Sequence, residues 1–332
     1  METIISFILG IIGGLMTNQI ANWLKISQIK YSDKKSKKYL FNYNPEDDHL
    51  FMINRWSIER PLERSNHKVL VSYDQPSQDF IPKEEFQKYI DEQVTQKKTG
   101  DICYLIDYQI DHHESIHGKQ FTISVAPCDY SEHMASYHYL NDHPALVSKI
   151  KSLLETNIKL YLKNPIPADM AVNVVVLSES NFLAIKRSKS VDSARNTWTV
   201  GPFETMILKR DFSPGGHEDL FSLSRRCLKE ELNLDENHYG KVFVSWFGLL
   251  LTSVRAHIVS VVKIKDITEG DVIQLANNSH SNYESEGFEW IPLNYKNIKD
   301  YIEKDSGKLA DRNWISFSKL SLSEALRVKD VL

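Results

Sequence analysis

One amphipathic stretch, Glu218 to Leu234, constrains this chain more than any other. Laid on a helix at about 100° per residue, Leu220, Phe221, Leu223, Cys227, Leu228 and Leu232 fill one apolar arc. Ser222, Arg225, Lys229 and Asn233 lie outside it. Glu231 falls inside the arc, one turn after Cys227 and Leu228, and Glu230 borders it. A carboxylate on a core-facing stripe is costly unless it is paired or coordinates a metal. The pattern therefore predicts a helix that holds adjacent carboxylates at the edge of a core.

At 332 residues the chain is long enough for two small domains or one large one. Its 42% hydrophobic and 25% charged content is that of a folded globular protein. A formal charge of −4 gives no electrostatic case for nucleic-acid binding. The three cysteines, Cys103, Cys128 and Cys227, are odd in number, widely spaced and without a CxxC pair, which favours reduced thiols over a disulfide framework.

The N-terminus carries a different signal. Residues Thr3 to Trp23 are uncharged and Ile4 to Met16 is almost wholly apolar, close to the roughly 20 residues a bilayer core requires. Asn18, Gln19 and Asn22 weaken its last third. No basic stretch precedes the run and no small-residue cleavage site follows it, which argues against a removable signal peptide. Lys25, Lys30, Lys34, Lys35, Lys37 and Lys38 follow against a single Asp33, with only Glu2 on the other side. The positive-inside rule then places the N-terminus outside and the long C-terminal part in the cytoplasm. Gly10 and Gly14 either let two copies pack closely or reflect the ordinary glycine content of membrane helices. The chain thus divides into a transmembrane anchor at 1–26, a β-rich intervening region and candidate sensor at 27–165, and a catalytic-type domain at 166–332.

In the middle region, short strands are predicted at Tyr39–Phe41, Leu50–Ile53, Val69–Tyr73, Cys103–Ile110 and Gln120–Val125, with helices at Lys83–Thr95 and Pro144–Tyr161. These strands form a separate module or extend the sheet of the C-terminal domain, and Cys103–Leu154 is better attached to that domain. Asp111, His112, His113, Glu114 and His117 crowd within seven residues, but no cysteine or distant His motif completes a zinc site. They read as a polar hairpin loop.

The C-terminal half opens with a predicted hairpin, Ala171–Leu177 and Phe182–Ile185 around a Ser-Glu-Ser-Asn turn. Asn196 to Pro202 reads as a strand entering a glycine-containing loop. Further strands are predicted at Val242–Leu250, His257–Ile264 and Glu284–Leu293, with a closing helix at Leu320–Leu332. Turn signals at Ser213-Pro214-Gly215-Gly216 precede Glu218.

Glu218, seven residues, then Arg226-Cys227-Leu228-Lys229-Glu230-Glu231-Leu232-Asn233-Leu234 resembles the Nudix box: Gly, five residues, Glu, seven residues, then Arg-Glu-apolar-x-Glu-Glu-x-Gly-apolar. Three positions depart. Phe212 stands at the first glycine, Asn233 at the last, and Cys227 at the first glutamate of the helix. Asn tolerates a left-handed helix end nearly as well as Gly. The cysteine is the serious change, because in relatives that glutamate often supplies a metal ligand or the catalytic base.

The resemblance implies an α+β fold, a Nudix-type α/β/α sandwich with a mixed sheet, preceded here by the transmembrane helix and the β-rich region. It implies hydrolysis of a nucleoside diphosphate linked to another group, with Mg²⁺ or Mn²⁺ held by Glu218, Glu230 and Glu231. Arg226 would orient a glutamate through a charge-assisted hydrogen bond. Glutamates ahead of the late Glu-Trp strand, Glu284 and Glu286, are further candidate ligands. Catalysis would fall to Glu230, Glu231 and Arg226.

A single membrane helix joined to a divergent Nudix domain also resembles the transmembrane-Nudix effectors of bacterial CBASS antiphage systems. That resemblance implies the bacterial inner membrane, a cyclic-oligonucleotide activator and a homo-oligomer as partners, with the signal's binding residues unknown. Three functions are consistent with these residues. The first is an effector hydrolase of a cytosolic nucleotide. The second is a catalytically weak Nudix fold that senses a ligand while the oligomerised helix disrupts the membrane. The third is a tethered housekeeping hydrolase.

Overall fold

The structure is a computed structural model that describes residues 50–56, 62, 67–73, 80–96, 100–115, 118–191, 194–211, 220–250, 254–279, 281–330 and 332. The predicted anchor at 1–26, the strand at Tyr39–Phe41, the Ser213–Gly216 turn and Glu218 lie outside the described residues. Among the described residues no helix is long and apolar enough to cross a membrane.

In chain order the strands are β1 (Leu50–Arg55), β2 (His67–Val71), β3 (Asp101–Ser115), β4 (Gly118–Asp129), β5 (Met170–Leu177), β6 (Asn181–Arg187), β7 (Trp198–Val200), β8 (Phe203–Thr205), β9 (Phe243–Leu250), β10 (Arg255–Lys263) and β11 (Ser285–Pro292). The helices are α1 (Lys83–Thr95), α2 (Tyr130–Asp142), α3 (Pro144–Tyr161), α4 (Leu208–Asp211), α5 (Leu220–Leu232), α6 (Glu269–Asn277), α7 (Tyr295–Lys304) and α8 (Ser318–Val328). The fold is mixed α+β.

The main sheet runs β1-β9-β10-β5-β6-β11, with β7 on β6 and β8 on β5. β10 and β5 pair in parallel while β1–β9, β9–β10 and β6–β11 are antiparallel, so the sheet is mixed. A central strand covered on both faces needs no polar alternation, and every residue of β5, Met-Ala-Val-Asn-Val-Val-Val-Leu, is buried. Val172, Val174 and Val176 join one core with Leu220, Leu223, Cys227 and Leu228 of α5. Val175 and Leu177 join a second core with Leu320, Leu322, Ala325 and Leu326 of α8. Helices therefore cover both faces. Asn173, the one polar residue in β5, is satisfied: it donates to the Val200 and Pro202 carbonyls (2.9 and 3.0 Å) and accepts from Ser321 (2.6 Å).

The second sheet, β2-β4-β3, belongs to the 27–165 stretch, yet β1 from the same stretch is hydrogen-bonded to β9 at the edge of the main sheet. Gly248 permits that pairing, since a Cβ there would sit 2.1 Å from the Phe51 carbonyl oxygen. Arg55 of β1 reaches Glu324 of α8 at 2.6 Å, and Arg327 bonds the other oxygen of the same carboxylate at 2.6 and 2.9 Å.

Two predictions at the local level change. Asp111 to Glu114 continue strand β3 rather than forming a loop, with Asp111 opposite Gln120 and Ser115 opposite Gly118; His117 lies outside the described residues. Helix α2 has no counterpart in the sequence reading. It buries Ser131, His133, Met134, Ala135, Ser136, Tyr139 and Leu140 around most of its circumference, so no single apolar stripe marks it. Its start is marked instead by a capping box, Asp129 with Glu132.

Candidate functional site

Helix α5 is anchored at both ends. Its first amide, from Leu220, donates to His67 Nε2 (3.2 Å), which β2 supplies. At its far end Asn233 adopts φ +55°, the Asn233 amide bonds the Lys229 carbonyl (3.0 Å) and the Leu234 amide the Leu228 carbonyl (3.1 Å). The Asn233-to-Lys229 bond is the closure of a left-handed (αL) helix cap, so Asn233 does the work of a glycine. Between these ends Cys227 and Leu228 are fully buried, and Glu231 lines a cavity.

The cavity, of about 590 Å³, lies between α5, β8, the end of β6, the start of β10, the segment before β11, and the junction of β3 with α2. Glu204 of β8, Glu231 of α5 and Glu284 line it. Gly201 places Glu204. Its φ of +75° and the 2.0 Å approach a Cβ would make to the Val174 carbonyl oxygen leave only glycine there, and the chain then turns through Pro202 into β8 against β5.

The carboxylates perturb one another. Burial raises the Glu231 pKa to about 8, and Glu284 and Glu204 push it the same way against a Ser281 hydrogen bond and Arg187. Burial likewise lifts Glu204 to about 7, with Arg226 opposing and Glu230 and Glu284 adding to the rise. Glu230 is paired with arginines: Arg210 Nη1 contacts both its oxygens (3.0 and 3.2 Å) and Arg226 Nη1 one of them (3.0 Å). Arg226 also lies 3.5 Å from Glu204 and donates to the Thr205 carbonyl (2.6 Å). Cys227 sits beneath this group. Burial pushes its thiol well up, as do Glu204 and Glu231, so it is neutral and offers no hard ligand.

Of the residues singled out by sequence, Glu230, Glu231, Arg226 and Glu284 come together. Glu286 does not line the cavity; it pairs with Lys186 at 3.1 Å and accepts from the Lys189 amide at 3.3 Å. Glu218 lies outside the described residues. The sequence reading missed Glu204, although an acidic residue two positions beyond the Gly201-Pro202 turn was a signal. It also missed Arg187, Arg255, Tyr130 and Tyr283 on the cavity wall.

Among the described residues no three His, Cys, Asp or Glu side chains form a closed metal-ligand set. The donors are of the type that hard divalent cations take, carboxylate oxygens in a partly buried cleft, where burial first and mutual repulsion second raise two of their pKa values.

No protein-family model matches the chain, and no curated protein does. Solved structures do match over part of it. One is a Deinococcus radiodurans protein, DR0079 (16% identity, 43% of this chain and 80% of that one, TM-score 0.29). Another is a bifunctional NMN adenylyltransferase/ADP ribose pyrophosphatase from Francisella tularensis complexed with AMP and a manganese ion (16% identity, 56% and 49%, TM-score 0.30). A third is a C. elegans Ap4A hydrolase (17% identity, 42% and 90%, TM-score 0.25). The chain spans about half the length of the Francisella protein.

Proposed function

We propose that this chain is a metal-dependent hydrolase of nucleoside-diphosphate-linked compounds, carried on a membrane anchor at 1–26 and acting as a CBASS-type antiphage effector. The observation that carries the hydrolase reading is the convergence of Glu204, Glu231 and Glu284 on one cavity, with Glu231 lifted to about 8 by burial and by its neighbours. A carboxylate group that repels itself is poised for a cation, and Mg²⁺ or Mn²⁺ bound there would neutralise a diphosphate and lower the pKa of an attacking water.

The chain's own groups define the rest. Glu231, Glu204 and Glu284 would hold the cation, joined by Glu230 when it leaves its arginines, and by Glu218. Arg226 fixes Glu230 and Glu204 from the side. Glu231, if it stays ionised, can also accept a proton from water. Tyr130, Phe203 and Tyr283 offer aromatic surface for a base.

The membrane and signalling parts of the proposal are supported by the uncharged run Thr3–Trp23, the lysine cluster after it and the architecture. They place the C-terminal domain in the cytoplasm of a bacterial cell, as a homo-oligomer activated by a cyclic oligonucleotide. A second reading, a catalytically weak sensor whose helix disrupts the membrane, is favoured by one observation: Cys227 is fully buried and neutral where relatives place a glutamate.

The test is turnover of a panel of nucleoside-diphosphate-linked compounds by the full chain in detergent with Mg²⁺ or Mn²⁺, with and without cyclic oligonucleotides. Metal-dependent turnover that the Glu230→Gln, Glu231→Gln double variant loses by at least about 10³-fold supports the hydrolase. No turnover, together with saturable cyclic-oligonucleotide binding, supports the sensor.

A further inference from the structure

The cavity is also lined by two arginines, Arg187, which lies 3.7 Å from Glu284, and Arg255, which is held by groups outside the Nudix-like motif. Arg255 opens β10 and lines the cavity, with 13% of its side chain exposed. Its Nε donates to Asp169 Oδ1, and Nη2 lies 3.3 Å from His133 Nε2. Asp169 is fully buried. Its other oxygen accepts from Thr205 Oγ1 (2.6 Å), and its amide donates to His133 Nδ1 (3.1 Å). His133 comes from α2, in the stretch before the Nudix-like half, so two parts of the chain meet at one guanidinium.

The charges are settled around the arginine. Burial alone would raise Asp169, but Arg255, His133 and Thr205 outweigh it and hold the carboxyl below its ordinary range. Burial drives His133 down to about 4, with Asp169 opposing and Arg255 adding to the fall. A neutral His133 beside Arg255 avoids a second positive charge. Burying such a pair does little for stability on balance, whereas a guanidinium fixed at Nε by Asp169 still presents its N–H₂ groups. Arg255 Nη1 has no protein partner among the described residues. Lining the same cavity, Arg187 is 8% exposed, its Nε is buried without a hydrogen-bond partner, and its guanidinium lies over the Phe203 ring at 4.2 Å.

We infer that Arg255 reads a phosphate group of the cavity's ligand, and that Asp169 and His133 are positioning residues that aim its guanidinium. The planar fork of arginine matches phosphate oxygens with paired hydrogen bonds. The inference rests on the cavity being a nucleotide site but not on hydrolysis.

Calorimetric titration of the full chain in detergent, with divalent metal chelated so that no turnover occurs, tests it. The probes are AMP, adenosine and inorganic phosphate. Wild type is expected to bind AMP more tightly than adenosine. Arg255→Gln should weaken AMP by about tenfold or more while leaving adenosine unchanged, and Arg255→Lys should recover part of the loss. Asp169→Asn should weaken AMP in the same selective way. If that variant fails to fold, the Gln and Lys pair at position 255 and the salt dependence of AMP binding decide the matter. Inorganic phosphate bound in an Arg255-dependent way, without AMP, would support the phosphate site with the free anion as its source. Equal AMP affinity in wild type and Arg255→Gln would overturn the inference, as would no binding of AMP or phosphate by wild type. Absence of metal-dependent turnover would leave the result of this titration unaffected.

Discussion

Two acid clusters in this molecule, one buried around Glu324 and one partly buried around Glu231, are built from the same residue types and behave in opposite ways. Around Glu324, burial is outweighed by Arg327 and Arg55, and the carboxyl is held below its ordinary 4.5. Around Glu231, burial and two neighbouring carboxylates win, and the pKa rises to about 8. Glu324 has one guanidinium for each oxygen. Glu231 shares its cavity with Glu204 and Glu284, which have only the longer contacts of Arg226 (3.5 Å) and Arg187 (3.7 Å), while Arg210 and Arg226 hold Glu230 at 3.0 Å. The first cluster is complete within the chain and ties β1 to α8. The second leaves carboxylates that burial and mutual repulsion disfavour as anions, which makes it the candidate active site.

The comparison is broken most severely at Glu324. Glu324→Ala leaves the buried Arg327 and the partly exposed Arg55 uncompensated and is expected to cost about 3–5 kcal/mol, read as the shift of the denaturant midpoint. Loss of less than about 1 kcal/mol would place the triad among pairs that merely coexist. Next comes Gly201, whose turn sets Glu204. Gly201→Ala meets the Val174 carbonyl oxygen and a left-handed backbone at once, and is expected to cost about 2 kcal/mol or more. Its turnover should fall beyond what the lost stability explains.

Glu231→Gln should go the other way. Removing a carboxyl that its neighbours repel should leave stability within about 1 kcal/mol of wild type or raise it, while turnover collapses. A destabilisation as large as that of Glu324→Ala would mean that Glu231 is structural. The smallest effect is a slope with pH. A folded-state pKa held below its unfolded value contributes stability that is complete above the unfolded value, near 4.5 for Glu324, and disappears as pH falls through the lower folded value. Thermal melting between pH 7 and pH 3 should show that loss below about 4.5, and Glu324→Gln should flatten it.

Much of the fold was legible because its main signals are local. The helices Lys83–Thr95 and Pro144–Tyr161 match their predicted bounds, since each carries an apolar stripe at helical spacing. The run Ala171–Leu177 was read as a strand from its valines. Helix α2 escaped because it is buried around most of its surface, so a periodicity argument had nothing to detect. At the site, Glu230, Glu231 and Arg226 were legible from the motif, and the tolerance of Asn233 from helix-end chemistry. Glu204, Arg255, Asp169 and His133 were not, because they lie on β8, β10, the approach to β5 and α2. Only the pairing of β5 with β8 and β10, and the bridge between Tyr104 and Asp169, brings them together.

The most direct measurement is calorimetric titration of Mn²⁺ into the full chain near pH 7, in two buffers of different ionisation enthalpy, against the Glu230→Gln, Glu231→Gln double variant. A carboxyl with a pKa of about 8 is largely protonated there. Mn²⁺ binding should therefore release protons, and the double variant should lose both the binding and the proton release. Absence of Mn²⁺ binding to the wild type, or binding unchanged in the double variant, would contradict the account.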